Sequence, residues 1–369
     1  MSAQKATDDR VPVAAPDVSK RAMGRVMRVL QSGDLADGEE VREFESAFAK
    51  CLGVDHAVAV ANGTAALHAA LAACGIGEGD TVVTTPLSFV ATANAVRFCG
   101  ADPVFADVDP DTYNLDPTAV REAIEIRGGD VDAILPVHLY GLPAPMDELA
   151  ALAEEYDAVV VEDAAQAHGA RYRDRPVGSL ADAAAFSFYP TKNMTTGEGG
   201  MVVTDDEAVA DRAARFVNHG RNDQYDHVEL GHNFRMTNIA AAIGRVQLKR
   251  LSRFVRARRD NAAALTEALT DAPVDPPTVP EGVDHAFHQY TVRASDRDRL
   301  VGHLDDHGID TGVYYPTPIH EQPAYEGVDD RFPVAERAAD EVVSLPVHPG
   351  LSEGDREAIA DALALYQTQ

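Results

Sequence analysis

Lysine is scarce in this chain. Only Lys5, Lys20, Lys50, Lys192 and Lys249 occur in 369 residues, and the other 27 basic residues are arginine. Basic charge as a whole is short, with 32 lysines and arginines against 60 aspartates and glutamates and a net charge of −28. That balance argues against nucleic acid or an anionic membrane as a partner, since both call for a basic surface. The acidic excess runs along the whole chain. With so little lysine it fits a soluble protein of a high-salt cytoplasm, whose carboxylate surface stays hydrated and screened. Cysteine occurs three times, at Cys51, Cys74 and Cys99. An odd count without close spacing suits neither a disulfide framework nor a zinc site. Cys74 and Cys99, among small apolar neighbours, are expected to pack as small hydrophobes. No uninterrupted apolar run approaches the ~20 residues that cross a bilayer. The first ten residues lack the apolar stretch of a signal peptide, so a cytoplasmic location is expected.

A hydrophobic fraction of 45% is enough for a sizeable core. The length exceeds one average domain and suggests a large domain plus a smaller one. Residues 1–16, polar and holding Pro12 and Pro16, read as an arm lying on the surface or on a partner subunit. Helical periodicity follows over Ala22–Leu30 and Glu40–Cys51. From Val58 onward, short apolar runs alternate with helical segments. Strands are expected at Val58–Val60, Thr81–Thr85, Pro103–Ala106, Ala133–Val137, Ala158–Glu162, Ala183–Phe188 and Gly200–Val203. Helices are expected at Thr64–Ala73, Ala91–Phe98, Pro117–Ile126 and Met146–Tyr156. This alternation predicts an α/β fold with a mostly parallel sheet covered by helices on both faces. The pattern changes after about residue 240. Asn238–Arg259 reads as one long helix whose arginine-rich second half is expected to be a solvated face. A proline-marked linker follows (Pro273, Pro276, Pro277, Pro280), then a strand at Phe287–Val292 and a helix at Asp296–His307. The division predicted is an arm (1–16), a large domain (17–245) and a small C-terminal α/β domain (246–369).

Three stretches can carry chemistry. The first, Asn62-Gly63-Thr64-Ala65, joins a strand to a helix; glycine permits a tight turn, and the free amides of the helix start can receive a phosphate. The same residues would also serve a plain helix, with Asn62 or Thr64 as its cap. The second, Glu162-Asp163-Ala164-Ala165-Gln166, follows a strand expected to be buried on both faces. Asp163 then lies beyond the carboxyl end of a parallel strand, where ligands collect in open sheets. There it would either hold a pyridinium N–H or cap the next turn. Gln166 would reach the ring oxygen of such a cofactor, while strand alternation turns Glu162 the other way. The third, Ser187-Phe188-Tyr189-Pro190-Thr191-Lys192, puts a hydroxyl and an amine around one turn. Lysine, unlike arginine, becomes a neutral nucleophile and forms a Schiff base.

In that order and with their surroundings, these stretches resemble the DegT/DnrJ/EryC1/StrS sugar aminotransferases, pyridoxal phosphate (PLP) enzymes of fold type I. The resemblance extends through Ser88–Val96, Pro136–Gly141, Gly231–Met236 and Tyr315–His320. It implies that Lys192 is the internal-aldimine lysine, Asp163 the partner of the pyridine nitrogen and Gln166 that of the ring oxygen. Gly63, Thr64, Ala65 and Ser187 would hold the phosphate, and Phe89, otherwise read as a core residue, would stack on the ring. Asn233 would reach the phosphate of a neighbouring subunit's cofactor in a homodimer. Tyr314 and His320 fall in a segment that lies near the sugar in relatives, or else pack the small domain. One branch of the family dehydrates sugars and has histidine at the lysine position; Lys192 favours transamination. The expected reaction moves an amino group from an amino acid, glutamate in expectation, to a nucleotide-linked keto-sugar. Alternatives are another PLP reaction of the same fold, a dehydratase or aldolase, and a non-catalytic regulatory protein.

Overall fold

The computed structural model describes residues 10–222, 225–270, 272–328 and 330–366. Its centre is a seven-stranded sheet. In chain order the strands are β1 (His56–Val60), β2 (Thr81–Thr84), β3 (Asp102–Phe105), β4 (Ala133–Leu135) and β5 (Val159–Asp163). After a small hairpin, β6 (Arg171–Tyr172) and β7 (Arg175–Pro176), come β8 (Ala183–Ser187) and β9 (Gly200–Thr204). The spatial order is β1-β9-β8-β5-β4-β2-β3. Only β9 runs against its neighbours β1 and β8, so β1, β2, β3, β4, β5 and β8 all end on one edge of the sheet.

The helices of this part are α1 (Lys20–Ser32), α2 (Glu39–Leu52), α3 (Gly63–Ala73), α4 (Ala91–Phe98), α5 (Pro117–Ile126), α6 (Met146–Tyr156), α7 (Glu207–Phe216) and α8 (Asn238–Leu248). α3 is alanine-rich and buried on nearly every side, packed against β8, β9, α4 and α7. A helix apolar all round belongs inside a protein, and small side chains let it approach the sheet closely. One apolar cluster covers one face of the sheet, around Phe44, Phe48, Phe186 and Phe188; a second joins α3 to the other face.

The predicted single helix Asn238–Arg259 is two helices, α8 and α9 (Leu251–Ala268). The break falls at Lys249–Arg250, where the Arg250 amide reaches back only to Gln247 O. There Gln247 Nε2 donates to Asp17 O at 2.7 Å, and Arg250 pairs with the Asp17 carboxylate, tying the corner to the arm. The arginine-rich half is not a uniformly solvated face. Arg258 is buried, and its Nη1 donates to the carbonyls of Phe287 and His288 at 3.0 Å each.

Beyond α9 lie β10 (Val283–Asp284), β11 (Tyr290–Arg293), α10 (Arg297–Asp306), α11 (Pro333–Glu341), β12 (Val342–Leu345) and α12 (Glu353–Leu365). β10 pairs with the β6–β7 hairpin and β11 with β12. The strand expected at Phe287–Val292 starts at Tyr290, because Phe287 takes the left-handed conformation (φ +44°), which ends an extended run. α9 serves both parts of the molecule. Its first half gives Leu251 and Val255 to the core of the large sheet, and its second half gives Ala262 and Leu265 to the small domain. The packing therefore shares α9 across the division drawn between 17–245 and 246–369.

The arm lies on the small domain. Val11 bridges Ile309, Arg10 pairs with Asp305 and Asp310, and His348 Nε2 donates to Pro12 O at 3.1 Å. Residues 1–9 of the predicted arm lie outside the described residues. Among the described residues no helix is long and apolar enough to cross a membrane. Cys74 and Cys99 pack half-buried against the apolar cluster around α3, and Cys51 is exposed.

Candidate active site

The carboxyl edge of the sheet opens into a cleft of about 720 Å³, the position at which open parallel sheets bind ligands. The loops after β1, β2, β5 and β8 line it, each carrying one of the stretches singled out above. Asn62 to Ala65 follow β1, Ser88 to Thr92 follow β2, Asp163 ends β5, and Ser187 and Lys192 end and follow β8.

At the start of α3, Gly63 lies so close to β8 that a Cβ on it would come within 2.6 Å of Ser187 Cβ. No other residue lets the start of α3 meet the Ser187 hydroxyl in this way. Asn62 caps the helix, its Oδ1 accepting from the Ala65 amide at 2.9 Å. The expected Ala65 amide is thus engaged by the cap, and the amides of Gly63 and Thr64 are first-turn donors that helix geometry leaves without an intrahelical carbonyl.

Asp163 is buried at the cleft floor. Its Oδ2 accepts from Thr92 Oγ1 at 2.8 Å and its Oδ1 from the Ala165 amide at 3.2 Å. Burial pushes this carboxyl above the usual range, and the Thr92 hydroxyl, the Ala165 amide, Lys192 and His138 pull it back. Lys192 is poised between the same influences: burial pushes its amine down to about 8, and Asp163 acts against that fall. A lysine with pKa near 8 has a substantial neutral fraction at physiological pH, as nucleophilic and proton-shuttling roles require.

Glu162 points to the other side of the strand, as alternation predicts. It accepts from the amides of Gly178 and Leu180 at 2.8 and 2.9 Å and from His138 Nε2 at 2.9 Å. Because the Ala144 amide donates to His138 Nδ1 at 2.9 Å, the ring proton sits on Nε2 and goes to Glu162. The pair is a buried structural support behind Asp163.

Gln166 is held at both ends. Its Oε1 accepts from the Tyr140 amide at 2.7 Å and its Nε2 donates to the Tyr315 hydroxyl at 2.9 Å. Tyr140 and Tyr315 stack with ring centroids 6.4 Å apart, and both have positive φ, at 57° and 62°. Such backbone strain in non-glycine residues collects at sites that position ligands. Phe89, read from sequence alone as a core residue, is 59% exposed and faces the cleft. Tyr314 also lines the cleft.

Two predicted residues are elsewhere. His320 does not line the cleft; it is buried against Phe332, with Nε2 3.3 Å from Glu336 Oε1. Asn233 is exposed, bridges Asn218 and does not line the cleft of its own chain, although its neighbour Phe234 does. Sequence reading also missed residues. Thr92 could have been noticed as a polar residue four positions after Ser88 in an otherwise small and apolar segment. His288 and Gln289, which also line the cleft, come from the small domain and carried no local signal.

The sequence profile described as the DegT/DnrJ/EryC1/StrS aminotransferase family matches residues 16–364. The chain belongs to this family. Like other DegT/DnrJ/EryC1/StrS members it is a PLP-dependent aminotransferase. Among relatives, a "Pleiotropic regulatory protein" of Geobacillus stearothermophilus is 41% identical over 352 residues, covering 92% of this chain and 94% of the relative. A dTDP-3-amino-3,4,6-trideoxy-alpha-D-glucose transaminase of Streptomyces venezuelae is 42% identical over 343 residues, covering 92% and 90%. The crystal structure of S. venezuelae DesV in complex with a ketimine intermediate superposes with a TM-score of 0.89 at 41% identity, covering 92% of each chain.

The cleft of this DegT/DnrJ/EryC1/StrS member fits the family's cofactor. It offers an amine for the aldehyde, an acid for the pyridine nitrogen, a glycine-made seat beside Ser187 for the phosphate and an exposed aromatic ring for the stack. The lowered Lys192 pKa predicts how cofactor-free protein takes up PLP. The neutral amine is the reactive form, so the uptake rate should rise about tenfold per pH unit below pH ~8 and level off above it. Stopped-flow absorbance would follow this; a flat profile across pH 8 would contradict it.

Proposed function

We propose that this aminotransferase moves an amino group from an amino acid, glutamate in expectation, onto a nucleotide-linked keto-hexose for amino-sugar synthesis. The observation that carries the reading is the convergence of Lys192, Asp163 and the Gly63–Ser187 seat on one cleft at the carboxyl edge of the sheet. When bound there, PLP supplies an electron sink for the carbanion formed at the donor's α-carbon.

The chain's residues would divide the remaining work. Asp163 stays anionic and holds a proton on the pyridine nitrogen. Ser187 and the first turn of α3 fix the phosphate, and Phe89 covers one face of the ring. Lys192 Nζ takes the proton from the donor's α-carbon and, in the return direction, delivers one to the carbon that was the sugar's ketone. Tyr314, which lines the cleft, and Tyr315, bonded to Gln166, would contribute to the choice of sugar. The S. venezuelae relative, named for a dTDP-linked amino-sugar, supports a nucleotide carrier.

Asn233, exposed and off its own cleft, supports a homodimer in which it serves the partner's cofactor. The acidic, lysine-poor composition supports a high-salt cytoplasm as the working environment.

Incubation with glutamate and a panel of keto-sugar nucleotides, read by mass spectrometry, tests the function. Amino-sugar and 2-oxoglutarate are expected in equal amounts. A deoxygenated sugar without 2-oxoglutarate would point to a dehydratase instead. No product from any substrate would favour a regulatory role, the one named for the G. stearothermophilus relative.

A further inference from the structure

Thr92 makes two bonds that α4 does not need. Its hydroxyl lies 2.8 Å from Asp163 Oδ2 and 2.9 Å from Ser88 Oγ. A threonine has one hydroxyl proton. Since the carboxylate can only accept it, Ser88 must be the donor to Thr92, and the chain of bonds runs from Ser88 through Thr92 to Asp163. All three side chains are buried, at 4%, 1% and 4% exposure, so water competes little for these bonds and each polarises the next. The Thr92 amide meanwhile donates to Phe89 O at 3.1 Å, closing the turn that presents the Phe89 ring to the cleft. One residue thus grips the acid on the cleft floor with its side chain and the aromatic at the rim with its backbone. Helix formation does not ask for threonine at this place, because β-branching lowers helix propensity.

We infer that Thr92 is a positioning residue that holds Asp163 ionised and aimed at the pyridine nitrogen of the cofactor, with Ser88 supporting it; this rests on the cofactor reading above. The geometry favours Thr92 over the other anchor of the carboxylate, since its bond is shorter than that from the Ala165 amide, 2.8 against 3.2 Å. Of the groups that draw the Asp163 carboxyl back toward ionisation, the Thr92 hydroxyl acts most strongly, ahead of the Ala165 amide, Lys192 and His138. Without it the carboxyl would rise further and turn more freely about its last torsion. A less anionic Asp163 leaves the cofactor ring less positive, so the bound amine–aldehyde linkage would keep its proton to higher pH.

The test is Thr92→Val, which keeps shape and burial and removes the hydroxyl. PLP affinity, measured by titration of visible absorbance, should fall roughly tenfold or more, the scale for losing a hydrogen bond to a charged group. The pH midpoint of the visible band should move upward by about one unit. Thr92→Ser should restore both values, and Ser88→Ala should shift them the same way by less. A purely structural role would lower the melting temperature and leave the midpoint unmoved. An unchanged affinity and midpoint in Thr92→Val would overturn the proposal. If Thr92→Val does not fold, wild-type values in Ser88→Ala would overturn it instead. Wild-type protein that takes up no PLP would refute the cofactor reading itself, and the proposal with it; a normal band that none of these substitutions moves refutes only the role of Thr92.

Discussion

Lys192→Ala is expected to abolish transamination and with it the visible absorbance of bound cofactor. The expected loss in kcat is at least about 10⁴-fold, because two roles vanish together, covalent attachment and proton transfer, and the second alone is worth roughly 10²–10⁴. The other lysines cannot substitute: the cleft is lined by Lys192 and by no other lysine among the described residues. Stability should change little or improve, since burying this amine disfavours its charged form. The sign follows from linkage. The folded pKa is lowered, so below pH ~8 the native state holds this proton at a cost, and alanine removes the cost. A yellow, active Lys192→Ala protein would refute the assignment. Added small amines offer a further check, because partial recovery of turnover would show that the lost group is an amine and not a packing element.

Asp163→Asn should separate electrostatics from binding. The side chain keeps its shape, and its oxygen can still accept the Thr92 proton, so the fold should remain, while cofactor affinity should fall at least as far as in Thr92→Val and saturating PLP restores occupancy. Its negative charge disappears, and with it the means of keeping the pyridine nitrogen protonated. A preorganised charge in a buried site is worth roughly 10²–10³ in kcat, so turnover should fall by that much while the visible band persists. Turnover is lost in both variants, and the band, retained here and lost in Lys192→Ala, tells the two roles apart. Turnover within about tenfold of wild type would mean that Asp163 caps its turn and contributes little to the chemistry.

The features legible in the sequence are those that depend on near neighbours along the chain. The apolar run Val159–Val161 announced a strand buried on both faces, and the residue after it had to emerge at the carboxyl edge. Ala-rich α3 and the helices Pro117–Ile126 and Met146–Tyr156 likewise follow from local pattern, and the structure gives the last two with the predicted bounds. What was hidden depends on contacts between distant segments. The break between α8 and α9 is tied down by Asp17, 230 and 233 residues upstream, which takes hydrogen bonds from both Gln247 and Arg250. Arg258 reads as one more surface charge until the carbonyls of Phe287 and His288 are brought to it. The grip of Tyr315 on Gln166 spans 149 positions. His320 sits in a stretch shared with the family and yet turns away from the cleft, because its ring is taken up by Phe332 and Glu336. A shared motif places a backbone, and the packing around it decides where each side chain goes.

The helix shared by the two cores has a mechanical meaning. α9, some 27 Å long at its 18 residues, is seated in the sheet core by Leu251 and Val255 and in the small domain by Ala262 and Leu265. Between these two seats Arg258 fastens the carbonyls of Phe287 and His288, the second of which lines the cleft. A rod seated by its side chains in both cores transmits load between them without a joint, so the wall of the cleft formed by His288 is braced against its floor.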